Sequence, residues 1–349
     1  MNRNVYLSPL LIGLSFAVGL AVLARIVFEA TGGIVSATLC AVAIGIVWRN
    51  FIGLRASAEP GIEFAGRALL RLGIALIGLR LTLLVLADLS LVAIPIVLGC
   101  VALAVGVTIL AGRALGVPLV MRRLLAAGTA ICGCTAIIAS APLFRARQTD
   151  VGIALSCVVL FGSMAMIAYP WLAAAVFGGD VLGAGLFFGA AIHDTSQVVG
   201  AALIYAEQES APDAVAIAGL TKFLRTLGLL LLVPLAAWLG AQEESAINQP
   251  REMRRMALPP FVVGFVAAVI VRTAGDALAG DSLRWAQTLA IAQSASEWLL
   301  LIGMAAVGLG ITFGHIREAG WRPVALAFAA AIATGVCALL LCRFVVSWS

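Results

Sequence analysis

Eleven apolar stretches, most about 20 residues long, follow one another along this chain with no polar domain between them. They lie at roughly 6–28, 33–52, 67–87, 91–112, 124–143, 151–176, 181–205, 212–240, 257–275, 286–312 and 323–346. A helix rises about 1.5 Å per residue, so about 20 residues match the roughly 30 Å of a bilayer's hydrocarbon core. In that medium the backbone must satisfy its own hydrogen bonds, which leaves helices or a closed barrel. Barrel strands would alternate polar and apolar residues over about ten positions, and no stretch here does so. Composition agrees: 63% of residues are hydrophobic, 11% are charged, and the mean hydropathy is +1.12. A soluble domain carries about 25% charged residues. The expected fold is an all-α polytopic membrane protein with about 9–11 transmembrane segments, one integral membrane domain over residues 1–349.

The formal charge of +5 reports loop topology rather than nucleic-acid binding, because cytoplasmic loops of membrane proteins collect Lys and Arg. The first apolar run is too long for a cleaved signal and is read as the first span. Seven cysteines lie in or beside apolar segments, so a disulfide framework is not expected. With the N-terminus inside, the basic loops alternate correctly except at Arg145/Arg147 and at the Asp180 loop. Both are repaired if 124–143 and 181–205 are broken or re-entrant helices.

Those two segments echo each other. Gly128-Thr-Ala-Ile-Cys-Gly-Cys-Thr stands beside Gly189-Ala-Ala-Ile-His-Asp-Thr-Ser, and Gly73-Ile-Ala-Leu-Ile-Gly-Leu beside Gly303-Met-Ala-Ala-Val-Gly-Leu. The expected topology runs each pair in opposite directions, the pattern of inverted repeats with broken helices near the midplane.

Polar residues inside spans are costly and mark function. The sharpest cluster is His193-Asp194-Thr195-Ser196-Gln197, where Asp194 needs a partner, a proton or a cation and Gln197 shares a face with His193. His315 sits in a basic loop and looks ordinary. In Thr129-Ala-Ile-Cys132-Gly133-Cys134-Thr135, a glycine among small polar residues is where a helix can break. A break exposes N–H groups that suit an anion. Lys222 and Arg225 share one face of their helix, with snorkelling to the headgroups as the alternative. Arg80 and Glu297 are further intramembrane charges, for which snorkelling or a position near the membrane surface is the ordinary reading. Cations outnumber acids in this set, which leans toward an anionic substrate.

At these motifs the chain resembles the YeiH-type bacterial membrane proteins, a family described as sulfate exporters. The resemblance is carried by Leu69–Thr82 with Arg80, Ala130-Ile-Cys132-Gly133, Ile192-His193-Asp194 with Gln197-Val-Val-Gly-Ala-Ala, Thr221-Lys222-Phe-Leu-Arg225, and Met304–Leu309. The family usually has Glu where Asp194 stands, a small residue at Cys134 and Ala at Ser196. It is distantly similar to sodium–proton antiporters and bile-acid symporters, which implies crossing broken helices and alternating access.

The expected activity is secondary transport of a small anion such as sulfate, sulfite or an organosulfonate, in a bacterial inner membrane. Thr129, Cys132, Gly133, Thr135, His193, Gln197, Lys222 and Arg225 would bind it. Asp194 with His193 would carry the coupling proton or sodium. Alternatives are an anion channel, a soft-metal transporter through Cys132, Cys134 and His193, and an intramembrane enzyme with Cys132 as nucleophile. Catalytic residues, a resident metal and cofactors are not expected. The partners expected are the anion, the coupling ion and the bilayer, with a homodimer as the one protein partner and no nucleic acid.

Overall fold

The structure, a computed structural model, describes residues 3–31, 36–240, 260–280, 282–312 and 320–347. His315 and the polar stretch 241–256 lie outside them. Fourteen α-helices occur among the described residues and no strand does. They are α1 (Arg3–Ala30), α2 (Ala37–Val47), α3 (Glu59–Phe64), α4 (Leu70–Ile77), α5 (Leu83–Ala114), α6 (Leu119–Ala127) and α7 (Gly133–Ser140). Then come α8 (Gln148–Phe177), α9 (Val181–Ala191), α10 (Thr195–Glu209), α11 (Asp213–Gly240), α12 (Pro260–Ala279), α13 (Leu283–Gly310) and α14 (Trp321–Val346).

The helix ends follow local chemistry. Ser36 accepts from the Leu39 N–H at 3.1 Å to open α2, and Asp180 accepts from Gly183 at 2.9 Å to open α9. Each satisfies an N–H that the first turn leaves without an intrahelical partner. Gly178 closes α8 in the left-handed region at φ 58, which glycine adopts without a Cβ penalty.

By length and composition, six helical stretches can cross a bilayer: Pro9–Ala30, Leu83–Ala114, Leu119–Ser140, Thr149–Phe177, Leu283–Gly310 and Trp321–Val346. Ala37–Ile52 and Val181–Ala191 are shorter apolar helices. One boundary differs from the expected one. The loop anticipated at Asp88 is absent, and α5 runs through Asp88 as a 32-residue helix. The chain breaks earlier instead, at Gly78–Thr82. There Gly78 packs so closely on α12 that a Cβ would lie 2.4 Å from the Phe265 carbonyl oxygen.

The chain forms two compact units. The first comprises residues 1–87, 202–216 and 260–313. Its core joins Ala17, Leu20, Ala21 and Ala24 of α1 to Ala37 and Ala41 of α2 and to Leu301, Ala305 and Leu309 of α13. A side chain at Gly73 would meet Leu300 at 2.9 Å, and one at Gly303 would meet Leu70 at 2.7 Å. These reciprocal contacts make α4 and α13 an antiparallel pair at the echo that the sequence carries. Small residues let two backbones approach this closely in lipid.

The second unit comprises residues 88–201, 217–259 and 314–349. Within Leu119–Ser140, 72% of an apolar 18-residue stretch is buried, against 28–39% of such a stretch in the other five. Those five present large apolar side chains outward, with Leu84, Leu91 and Leu110 of α5 each more than 70% exposed. Lipid explains an apolar exterior that water would not tolerate. The α6–α7 segment is instead a buried centre.

Candidate functional site at a crossing of two broken helices

Two helices of the second unit are interrupted. After α6 the chain makes a π-helical turn, Gly128–Cys132, and then breaks at Gly133, whose φ is +39 and ψ −119. Glycine adopts that conformation where other residues are strained, and π turns gather at functional positions. Helix α9 ends at Ala191, Ile192 is extended, and α10 begins at Thr195. The breaks cross antiparallel. A Cβ at Gly133 would lie 3.0 Å from Asp194 Oδ2, and Cys132 Sγ is 3.4 Å from Thr195 Oγ1.

Each break leaves the last carbonyls of a half-helix without an N–H from the next turn, an expensive condition away from water. Two cations on one face of α11 satisfy them. Lys222 Nζ donates to the Ile131 and Ile192 carbonyls at 3.0 Å each and also to the His193 carbonyl. An ammonium has three N–H donors, and all three are used. Arg225 Nε donates to Ala130 O at 2.8 Å, Nη1 to Ala190 O at 2.6 Å and to Ile192 O at 3.2 Å, and Nη2 to Thr129 O. Both side chains are fully buried, so neither snorkels. The cations also complement the negative dipole ends of α6 and α9.

The acceptors keep the register of the sequence echo. Ile131 corresponds to Ile192 and shares Lys222 with it, and Thr129 corresponds to Ala190 and shares Arg225 with it. Gly189 allows α9 to reach α11, since a Cβ there would lie 2.5 Å from the Thr221 Cβ.

The beginnings of the second half-helices form the other side of the crossing. Asp194 caps α10, with Oδ1 accepting from the Ser196 N–H at 3.0 Å and from the Ser196 hydroxyl at 2.6 Å. The Cys134 thiol lies beside the same carboxylate. No Lys or Arg among the described residues forms an ion pair with Asp194. Cys134, Thr135, Asp194, Thr195 and Ser196 are half-buried, whereas Thr129, Cys132, Gly133, His193 and Gln197 are buried. The reachable polar surface is thus the acid, two helix N-termini, three hydroxyls and a thiol.

Three expected residues serve differently from one another. Thr129 gives its carbonyl to Arg225, but its hydroxyl donates to Leu125 O at 2.7 Å and faces Thr108 of α5. Gln197 ties α10 to α8, donating to Val159 O at 3.0 Å and Ser163 Oγ at 3.1 Å. Its Oε1 lies against Gly162, where a Cβ would come within 1.9 Å. His193 is 3% exposed, its ring touches the Thr129 backbone, and its Nδ1 has no protein partner. Among the described residues no group of three His, Cys, Asp or Glu side chains gathers to hold a metal. Arg80 and Glu297 belong to the first unit and pair with each other at 3.1 Å, with Arg80 also donating to Pro212 O at 3.0 Å. The hydroxyls of Thr195 and Ser196 were not assigned roles from sequence, although Asp-Thr-Ser at a helix start is a capping signal. Gly162 and Ser163 gave no signal at all.

Fold and site together define a multi-pass, all-helical membrane protein whose second unit holds a buried crossing of two broken helices. The family model described as "Conserved hypothetical protein 698" matches residues 12–327. The chain belongs to that family, whose members include the UPF0324 membrane proteins of many bacteria. It is 33% identical over 309 residues to a UPF0324 membrane protein of Rhizobium meliloti (strain 1021), covering 85% of this chain and 81% of that one. It is 32% identical over 321 residues to one of Pseudomonas putida, covering 89% and 85%. A Bacillus cereus relative is 29% identical over 341 residues, covering 93% and 89%. No solved structure matches this chain significantly.

Proposed function

We propose that this protein is a secondary transporter that moves a small anion of the sulfate, sulfite or organosulfonate class across the bacterial inner membrane by alternating access. The observation that carries the reading is the pair of buried cations at a crossing of broken helices. Each half-helix end bears roughly half a unit charge, negative at C-termini and positive at N-termini. Lys222 and Arg225 more than offset the two C-terminal ends, and Asp194 offsets the two N-terminal ends. About one positive charge is left over in a low-dielectric centre, which favours an anion. Broken helices with their ends at a central site are the usual substrate architecture of secondary transporters.

In this reading Lys222 and Arg225 are positioning residues. Their donors hold the carbonyls, and their charge acts on the site through space. The anion meets the N-termini of α7 and α10 with the hydroxyls of Thr135, Thr195 and Ser196. An ionised Asp194 weakens the hold on an anion and a protonated one strengthens it, which couples the two. Uptake of radiolabelled sulfate, sulfite, thiosulfate and taurine into proteoliposomes, under imposed proton and sodium gradients, tests this. Saturable, gradient-driven uptake of at least one supports it, and a rate that rises without saturation indicates a channel.

A further inference from the structure

Secondary transporters that couple to sodium commonly seat the ion on carbonyls freed by an unwound helix and on half-helix C-terminal ends. This crossing has such carbonyls, from Ile131, Ile192 and His193, and they converge on one point. That point is filled by Lys222 Nζ. The neighbouring carbonyls of Thr129, Ala130 and Ala190 converge on Arg225.

We infer that Lys222 is a built-in cation occupying the place where a transported alkali ion would bind, so that the crossing binds no sodium and leaves protons as the coupling ion. The inference rests on reading the crossing as a transport site. It follows from three features. The three protons of the ammonium match three acceptors, so the cradle has no spare oxygen facing it. Both cations are fully buried, so a second positive ion beside them would meet strong repulsion in a medium of low dielectric. The remaining acid, Asp194, spends Oδ1 on Ser196 and its other contacts on Gly133 and Cys134. The charged and titratable groups around Asp194 are His193 on its own segment, Cys134 on the partner break with Cys132 beside it, and Lys222 on α11. Among them Asp194 is the half-buried acid, reachable by a proton from water.

The test uses the purified full-length protein in detergent. Its melting temperature is followed against sodium chloride and against choline chloride at equal ionic strength, with equilibrium binding of radioactive sodium alongside. The expected result is no sodium-specific shift and no saturable sodium binding. A saturable, sodium-specific rise in melting temperature, or bound sodium at one per chain, overturns the inference. Lys222→Ser empties the cradle, and the folded variant is expected to gain the sodium response that the wild type lacks. A folded variant without that response also counts against it. If Lys222→Ser does not fold, the wild-type binding measurement still decides. Sulfate uptake is measured separately. Absence of anion uptake with no sodium binding defeats the transport reading while the built-in cation stands, and sodium-driven uptake does the reverse.

Discussion

Ile131 and Ile192, on two different broken helices, give their carbonyls to the same ammonium, each 3.0 Å from Lys222 Nζ. The bond pair fastens the two breaks to each other and to α11. Replacing Lys222 by Met keeps the stem and strands the buried Ile131 and His193 carbonyls, while the Ile192 carbonyl keeps its 3.2 Å bond from Arg225. An unsatisfied buried polar group costs about 1–3 kcal/mol, so with two stranded Lys222→Met is expected to lose about 2 kcal/mol or more. Thermal unfolding in detergent measures this. A melting temperature within one or two degrees of wild type, roughly what a few tenths of a kcal/mol produces, would show that the carbonyls have other donors.

Gly133 sits at φ +39 with Asp194 against it. Gly133→Ala is expected to cost about 1–3 kcal/mol in backbone strain alone. Gly133→Leu adds a side chain where Asp194 Oδ2 stands, and is expected to abolish transport while the protein still inserts into the membrane. Membrane-fraction immunoblots beside uptake rates separate the two effects. Full transport by Gly133→Leu would remove the break from the mechanism.

Gln197 and Gly162 interlock, the amide oxygen resting where a Cβ at 162 would be. Gln197→Ala and Gly162→Ala should each destabilise the protein, and the double variant should lose less than their sum. A coupling of about 0.5–3 kcal/mol is expected for residues in direct contact. Additive losses from thermal unfolding would mean that the two do not touch.

Much of this was legible in the sequence. The spans could be read because lipid imposes one length and one polarity on every crossing segment. The break at Gly133 could be read because a glycine among small polar residues has no ordinary place in an apolar span, and His193-Asp194 because charge in lipid needs a reason. The helix break at Gly78–Thr82 was missed. What sets it is the approach of Gly78 to Phe265 of α12, a contact between positions far apart in the chain. The same limit hid the orientation of Lys222 and Arg225. Their spacing showed a shared face, but only the packing of α11 on the breaks shows that the face meets carbonyls. Gln197 was legible as polar and buried, and Gly162 as its seat was not.

Arg80 and Glu297 pair at 3.1 Å with side-chain exposures of 16% and 50%. A partly exposed pair contributes about 0–1 kcal/mol. Glu297→Gln is therefore expected to change stability by no more than about 1 kcal/mol and to leave the pH dependence of transport unaltered. A shifted pH profile in Glu297→Gln would move the coupling acid from Asp194 to Glu297.

Asp194 carries the central claim. It is the acid at the crossing, half-buried, with no cation paired to it among the described residues. Asp194→Asn keeps the shape and most of the capping geometry but cannot titrate. Asp194→Glu keeps the acid with one more methylene. The decisive measurement is the initial rate of radiolabelled sulfate uptake into proteoliposomes against pH, for the wild type and both variants, with and without a proton gradient. The expected result is gradient-driven uptake by the wild type and by Asp194→Glu, and a slow, pH-independent exchange in Asp194→Asn that the gradient does not accelerate. Uptake by Asp194→Asn with the wild-type pH profile and the wild-type response to the gradient would contradict the account.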